Sequence, residues 1–172
     1  MNSSPERIEQ EVRRQLLEIS RQRKEDFQFV LMRYGLERLL YRLANSRFAD
    51  KFVLKGALLF EVWMNQPYRP TKDLDLPGFG DHVPDHLARM FGDICRTDVE
   101  PDGLIFDVER MSISEIREHQ EYEGVRVKLT AFLGNARIPL QIDIAFGDAV
   151  TPSARKIELP TILSMPATTI LC

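Results

Sequence analysis

Three strand-like segments follow one another in the second half of the chain, and they restrict the possible folds more than any other feature. They span residues 104–111, 125–133 and 138–146. The last two are separated by Gly134-Asn135-Ala136-Arg137, which is typical of a β-hairpin turn. Strands joined this closely usually pair as neighbours, so this half of the chain is predicted to form a sheet.

Helical patterns dominate the chain before these strands. Apolar residues recur every three or four positions over residues 5–22 and 25–44, which predicts a helical hairpin at the N-terminus. Ser4 and Pro5 suit the N-cap and first position of its first helix. Further helices are predicted at residues 57–64 and 83–95, and short strands at residues 52–54, 72–76 and 159–163. This order of elements predicts an α+β fold with a mixed sheet.

Length and composition are those of one globular domain. The 172 residues are 44% apolar and 28% charged, which excludes general disorder, and the two cysteines, Cys95 and Cys172, exclude a disulfide scaffold. No apolar run reaches the roughly 18 residues of a membrane helix, and no secretory signal is visible, so a cytoplasmic location is predicted. The single domain, 1–172, is expected to comprise N-terminal helices at 1–45 and a mixed-sheet core at 46–166.

Asp73 and Asp75 are the strongest chemical signal. Residues i and i+2 of a strand face the same side, so the predicted strand at 72–76 presents two carboxylates together. Like charges this close favour a compensating cation, and Mg²⁺ (or Mn²⁺) prefers such oxygen ligands. A strand with this pattern is also commonly a solvated edge.

A third acid, Asp143, lies between two isoleucines on another predicted strand. If that strand lies beside Asp73 and Asp75, three carboxylates converge in an arrangement that suits two-metal phosphoryl transfer. Alone, Asp143 is equally well explained as a surface or capping acid.

A strand-to-helix turn at Lys55, Gly56 and Ala57 is a candidate phosphate site. Helix N-termini present free N–H groups and a partial positive charge, and glycine lets a ligand approach the backbone closely. Lys55 adds a positive charge. Arg69 and Lys72, near the acidic pair, are further candidates for triphosphate contacts, although they also serve simply to offset the charge of the aspartates.

The order and spacing of these motifs resemble the polymerase-β-like nucleotidyltransferases. That group has an h-G-[GS] turn, then [DE]-h-[DE] on the next strand and h-[DE]-h on a later one. Here the acidic pair begins 17 residues after Gly56, and Asp143 follows Asp75 by 68 residues. Four segments resemble the AbiEii/AbiGii type IV toxin family more closely: residues 52–59, 69–76, 122–127 and 142–148. The resemblance covers about residues 25–166.

This resemblance implies a nucleotidyltransferase-like sheet flanked by helices and a toxin of a bacterial toxin–antitoxin or phage-defence pair. The toxin would transfer nucleotides from an NTP to RNA, with the tRNA 3′ end as acceptor, and its partner would be a winged-helix antitoxin. Asp73, Asp75 and Asp143 would hold Mg²⁺ (or Mn²⁺), and Asp75 or Asp143 would activate the acceptor hydroxyl. The residues implied in nucleotide binding are Lys55, Gly56, Ala57, Arg69 and Lys72.

Two departures from the family pattern leave other interpretations open. Ala57 replaces the usual Gly or Ser, which removes a hydroxyl but keeps the backbone N–H groups. The helical part of the family, with its further catalytic residues, is expected to be absent after Cys172. The main alternative is therefore a truncated or degenerate core that binds nucleotide or antitoxin without turnover. A nucleotidyltransferase acting on a small molecule is a third interpretation.

Two other charged features have simpler explanations. Arginines and glutamates are interleaved in the first helix, which predicts exposed ion pairs rather than an RNA site. His82 and His86 are four residues apart, but Pro84 lies between them and no third ligand is nearby, so a zinc site is not predicted.

Overall fold

The computed structural model describes residues 4–54, 73–78, 80, 83–146 and 156–171. Its helices are α1 (Pro5–Arg23), α2 (Phe27–Ala44) and α3 (Pro84–Cys95), with a 3₁₀ turn at Ala49–Lys51. Its strands are β1 (Asp73–Gly78), β2 (Leu104–Glu118), β3 (Glu121–Leu133), β4 (Ala136–Phe146), β5 (Lys156–Leu159) and β6 (Thr168–Leu171). Within these ranges no helix is long and apolar enough to cross a membrane. The predicted helix at 57–64 lies outside them.

The main sheet is mixed, with strand order β1-β4-β3-β2. Strands β2, β3 and β4 are antiparallel neighbours in chain order, whereas β1 pairs with β4 in parallel. Strands β5 and β6 form a separate antiparallel pair. The mixed sheet with its helices confirms the α+β class, and the packing of α1 on α2 confirms the helical hairpin. The division at residues 45 and 46 stays a prediction.

The helices cover one face of the main sheet. Leu74 on β1 and Ile142 and Ile144 on β4 are buried there, in one core with apolar residues of α2 and α3. Side chains alternate along a strand, so Asp75 and Asp143 project from the opposite, open face. Their position at the solvent side of a buried sheet makes them available to a ligand.

Local sequence explains the ends of the first two helices. The carbonyl of Ser4 accepts the N–H of Arg7 at 2.9 Å, so this residue caps α1 through its backbone. Lys24 then adopts a left-handed conformation with φ 53°, which ends the helix. The carboxylate of Asp26 accepts the N–H of Gln28 at 2.8 Å and caps α2.

The longest hairpin differs most from its prediction. Strand β2 continues to Glu118 instead of residue 111, and β3 begins at Glu121 instead of residue 125. His119 and Gln120 form the turn with φ angles of 51° and 69°, a conformation that sequence signals usually assign to glycine or asparagine. The prediction was wrong because this polar end of the hairpin lacks an apolar alternation.

Two short strand predictions were also wrong. In the described part of 52–54, Phe52 makes one isolated bridge to Gly78 instead of forming a strand. Strand β5 ends at Leu159, where the segment 159–163 was expected to begin a strand, and β6 was not predicted. Such short segments pair according to their tertiary neighbours, which a local pattern does not reveal.

A buried ion-pair network runs along α2, although its sequence pattern predicts only an apolar stripe. Arg38, Arg42 and Asp102 are all less than 10% exposed. Arg42 donates from Nη1 and Nη2 to the two carboxylate oxygens of Asp102 at 2.6 and 3.0 Å. Arg38 Nε lies 3.5 Å from Asp102 Oδ2, and the N–H of Leu104 donates to Oδ1 at 3.1 Å. The network therefore joins α2 to the start of β2.

Glu37 extends this buried polar layer to the segment between β5 and β6. Its Oε1 accepts the N–H of Ile162 at 2.8 Å, and its side chain is 1% exposed. The neighbouring Arg38 donates to the carbonyl of Pro166 at 3.2 Å. Burial raises the pKa of Glu37 to about 7, although the Ile162 N–H and the Arg38 charge act in the opposite direction.

Glu37 is expected to make the stability of the protein fall as the pH rises. Because its folded pKa lies above the ordinary carboxyl value of about 4.3, the folded protein holds an additional proton between these two values. The stability from this group is complete below about pH 4 and is lost as the pH passes about 7. Urea denaturation between about pH 5 and pH 8 measures the effect, which amounts to at most about 3 kcal/mol.

The Glu37→Gln variant provides the control, because glutamine keeps an oxygen for the Ile162 N–H and does not titrate. Its free energy of unfolding should rise relative to that of the unchanged protein as the pH increases. A difference that stays constant with pH would contradict a raised pKa at Glu37.

Candidate active site

The two aspartates that the structure describes most fully lie side by side on the main sheet. Asp75 of β1 is paired in register with Asp143 of β4. Neighbouring strands are about 4.8 Å apart, so the carboxylates project from adjacent positions on the open face. Asp73 is paired with Gln141 one step along the same strands, and its side chain lies outside the description. The predicted convergence of two acidic strands is therefore found for Asp75 and Asp143.

Arg126 of β3 completes this row across the sheet. It is paired in register with Asp143, on the side opposite to Asp75. Its Nε and Nη2 donate to Asp143 Oδ1 and Oδ2, each at 2.9 Å. This two-bond geometry is among the strongest that a guanidinium forms with a carboxylate. Sequence analysis offered only strand solubility or a place near the cleft for Arg126, because the register of β3 and β4 was unknown.

A shallow cavity of about 330 Å³ lies over this row of charges. Asp75, Asp143 and Arg126 line it, and Ile116 and Pro77 contribute apolar surface. The cavity combines both charge signs with apolar surface on a solvent-facing sheet. Such a combination can hold a charged ligand in one orientation.

Gly124 allows the strands to meet closely beside the cavity. Its φ is 152°, and a Cβ at this position would lie 2.2 Å from the backbone oxygen of Ile144. Any side chain would therefore push β3 away from β4, two residues from Arg126. The glycine in the segment 122–127 thus has a structural reason that sequence alone did not supply.

The described carboxylates fit a hard divalent cation. Mg²⁺ is usually held by one or two protein carboxylates together with substrate phosphates, and Asp75 and Asp143 offer such a pair. Within the described ranges no group of three His, Cys, Asp or Glu side chains is placed to hold a metal ion. The carboxylate of Asp73, the third predicted ligand, is not among the described side chains.

The proposed nucleotide-binding residues cannot be placed by this structure. These residues all lie outside the described ranges: Lys55, Gly56, Ala57, Arg69 and Lys72. His82 lies outside them as well, whereas His86 is an exposed residue of α3.

The charges of α1 behave as its sequence predicts. Arg14 forms ion pairs with Glu11 and Glu18 at 2.7 and 3.4 Å on the exposed surface of the helix. Hydrogen bonds from Arg14 and Gln15 lower the pKa of Glu11 to about 2. These local pairs account for the charge at this part of α1 without an RNA ligand.

Comparison with known proteins identifies the family. The family model described as "Nucleotidyl transferase AbiEii toxin, Type IV TA system" matches residues 38–172. No curated protein matches this chain. A solved structure from H. pylori, of a protein described as a candidate nucleotidyltransferase, is similar at 18% identity and a TM-score of 0.41. That similarity covers 69% of this chain, which spans 45% of the other. Because the family match covers most of its length, the chain belongs to the AbiEii nucleotidyltransferase toxin family.

Proposed function

We propose that this chain is the core of a metal-dependent toxin that transfers a nucleotide from an NTP to an RNA acceptor, the 3′ end of a tRNA. Family membership supports the nucleotidyltransferase activity and the toxin role. The observation that carries the proposal is the in-register pairing of Asp75 with Asp143 on the open face of the sheet. A cytoplasmic location, a role in phage defence and a winged-helix antitoxin as partner complete the proposal.

In this proposal Asp73, Asp75 and Asp143 hold Mg²⁺ or Mn²⁺. Bound there, the metal would offset the charge of the triphosphate and favour ionisation of the attacking hydroxyl. Asp75 or Asp143 orients the acceptor hydroxyl and receives its proton. The new bond joins that oxygen to the α-phosphorus, and pyrophosphate leaves with its electron pair.

The nucleotide is assigned to the residues around the sheet. The N–H groups of Gly56 and Ala57 bind phosphate oxygens, and Lys55 adds a positive charge. Arg69 and Lys72 contact the triphosphate from the segment that leads into β1. Phosphoryl transfer depends mainly on such positioning and on charge neutralisation.

The test is transfer of labelled nucleotide into RNA. The chain is incubated with each α-labelled NTP, total tRNA and Mg²⁺, and the label is expected in the RNA with one or more NTPs. EDTA and the Asp75→Asn substitution should each abolish it. Binding to an RNA acceptor should weaken steeply with salt, whereas a small-molecule acceptor would not show this dependence.

Two results would contradict transfer by this chain. Saturable NTP binding without labelled product would favour the binding-module alternative. A folded chain that neither binds NTP nor labels RNA would leave only antitoxin binding, which a pull-down with the winged-helix partner then tests.

A further inference from the structure

The guanidinium of Arg126 occupies the same two oxygens that a metal ion would use on Asp143. Arg126 Nε donates to Oδ1 and Nη2 to Oδ2, each at 2.9 Å. The pairing is fixed by the sheet, because Arg126 and Asp143 are in-register neighbours on β3 and β4. A cation that binds Asp143 must therefore compete with a preformed ion pair.

The two partners differ in their contact with water. The side chain of Asp143 is 19% exposed and that of Arg126 is 37% exposed. The carboxylate is thus the more desolvated group, and it lies beside the like charge of Asp75. A desolvated carboxylate next to another needs a cationic neighbour. The more exposed guanidinium can leave this position at a lower desolvation cost.

We infer that Arg126 is a positioning residue that holds Asp143 in the metal-free protein and yields it to the divalent ion. This inference rests on the proposed function, since it takes Asp143 as a metal ligand. The exchange breaks the two hydrogen bonds from Arg126 and forms a carboxylate–metal contact, with no covalent change. Arg126 thereby keeps Asp143 oriented while weakening the affinity of the site for the ion alone.

The inference predicts a gain of metal affinity on substitution of Arg126. Removing the guanidinium takes away a positive charge near the ion and leaves the carboxylates of Asp75 and Asp143 repelling each other, and an ion relieves both. At close range a unit charge acting on a divalent ion changes binding on the order of tenfold in a solvated site. A residue that merely stabilises the strands would change the free energy of unfolding and leave ion affinity unchanged or reduced.

The experiment is a titration with Mn²⁺ alone, followed by the electron paramagnetic resonance of the free ion and by calorimetry. Arg126→Gln should bind Mn²⁺ about tenfold more tightly than the unchanged protein. Arg126→Lys should lie between them, because lysine keeps the charge but loses the two-bond fork. Asp143→Asn shows whether the ion uses this carboxylate.

Arg137→Gln is the matched control, since it removes the same charge from an exposed arginine on the same strand. Arg137 is six residues from Asp143, about 20 Å along β4, which is beyond the screening length at ordinary salt. Its Mn²⁺ affinity should equal that of the unchanged protein.

The outcomes separate this inference from the proposed function. If Mn²⁺ binding depends on Asp143 but Arg126→Gln leaves the affinity unchanged or weaker, the metal site stands and the inference about Arg126 is wrong. If neither the unchanged protein nor Arg126→Gln binds Mn²⁺, the inference and the metal dependence of the proposed function both fail. Tighter binding by Arg126→Gln alone, with Arg137→Gln unchanged, supports the exchange.

Discussion

Nucleotide transfer by the Asp143→Asn variant is expected to be slower by about a thousandfold than by the unchanged chain. Asparagine keeps the size of the side chain but removes the charge that pairs with Arg126 and would hold a divalent ion. The rate of label incorporation into RNA measures the effect, with folding checked by circular dichroism. The loss should persist at saturating NTP, because the carboxylate is assigned to the chemical step.

Asp107→Asn is the matched control for this prediction. Asp107 belongs to β2, and its side chain is 22% exposed, close to the 19% of Asp143. Its register partner on β3, Thr130, is four residues from Arg126, so Asp107 lies on the same open face at a distance from the cavity. Its rate should stay within about twofold of the unchanged rate. Equal losses in both variants would mean that general electrostatics, rather than Asp143, controls transfer.

Asp102→Asn should lower the free energy of unfolding by about 3–5 kcal/mol, the usual cost of removing one partner of a buried ion pair. The substitution leaves the guanidinium of Arg42 without its carboxylate, and it also removes the counter-charge of Arg38. Urea denaturation monitored by circular dichroism measures the change. A domain of this size has a total stability of about 5–15 kcal/mol, so the variant should be visibly less stable to heat as well.

An exposed ion pair serves as the comparison. Arg47 donates to Asp93 at 2.9 Å, and the two side chains are 75% and 47% exposed. Asp93→Asn should cost less than about 1 kcal/mol, since solvent screens such pairs. If Asp102→Asn costs as little as this, the buried network does not contribute the stability assigned to it.

The helices and the central hairpin could be predicted well from the sequence. The helix expected at 83–95 is found as Pro84–Cys95, and the strands expected at 125–133 and 138–146 are found as Glu121–Leu133 and Ala136–Phe146. These elements have strong apolar periodicity and recognisable caps or turns, which are local properties.

The candidate site could be predicted only in part. Asp75 and Asp143 were singled out because each lies between apolar residues on a strand. Their contact depends on the parallel pairing of β1 with β4, strands separated by more than fifty residues. Arg126 gained its role from the register of β3 against β4, which no local pattern specifies.

The sequence by itself determined the α+β class, the helical hairpin, the acidic strands and the family, because periodicity, caps and motif spacing are written in neighbouring residues. Tertiary structure alone decided that Asp143 pairs with Arg126 and that Arg42 and Asp102 are buried together. Both pairs join residues distant in the chain. Their strength depends on strand register, geometry and the exclusion of water, which arise only when the elements pack.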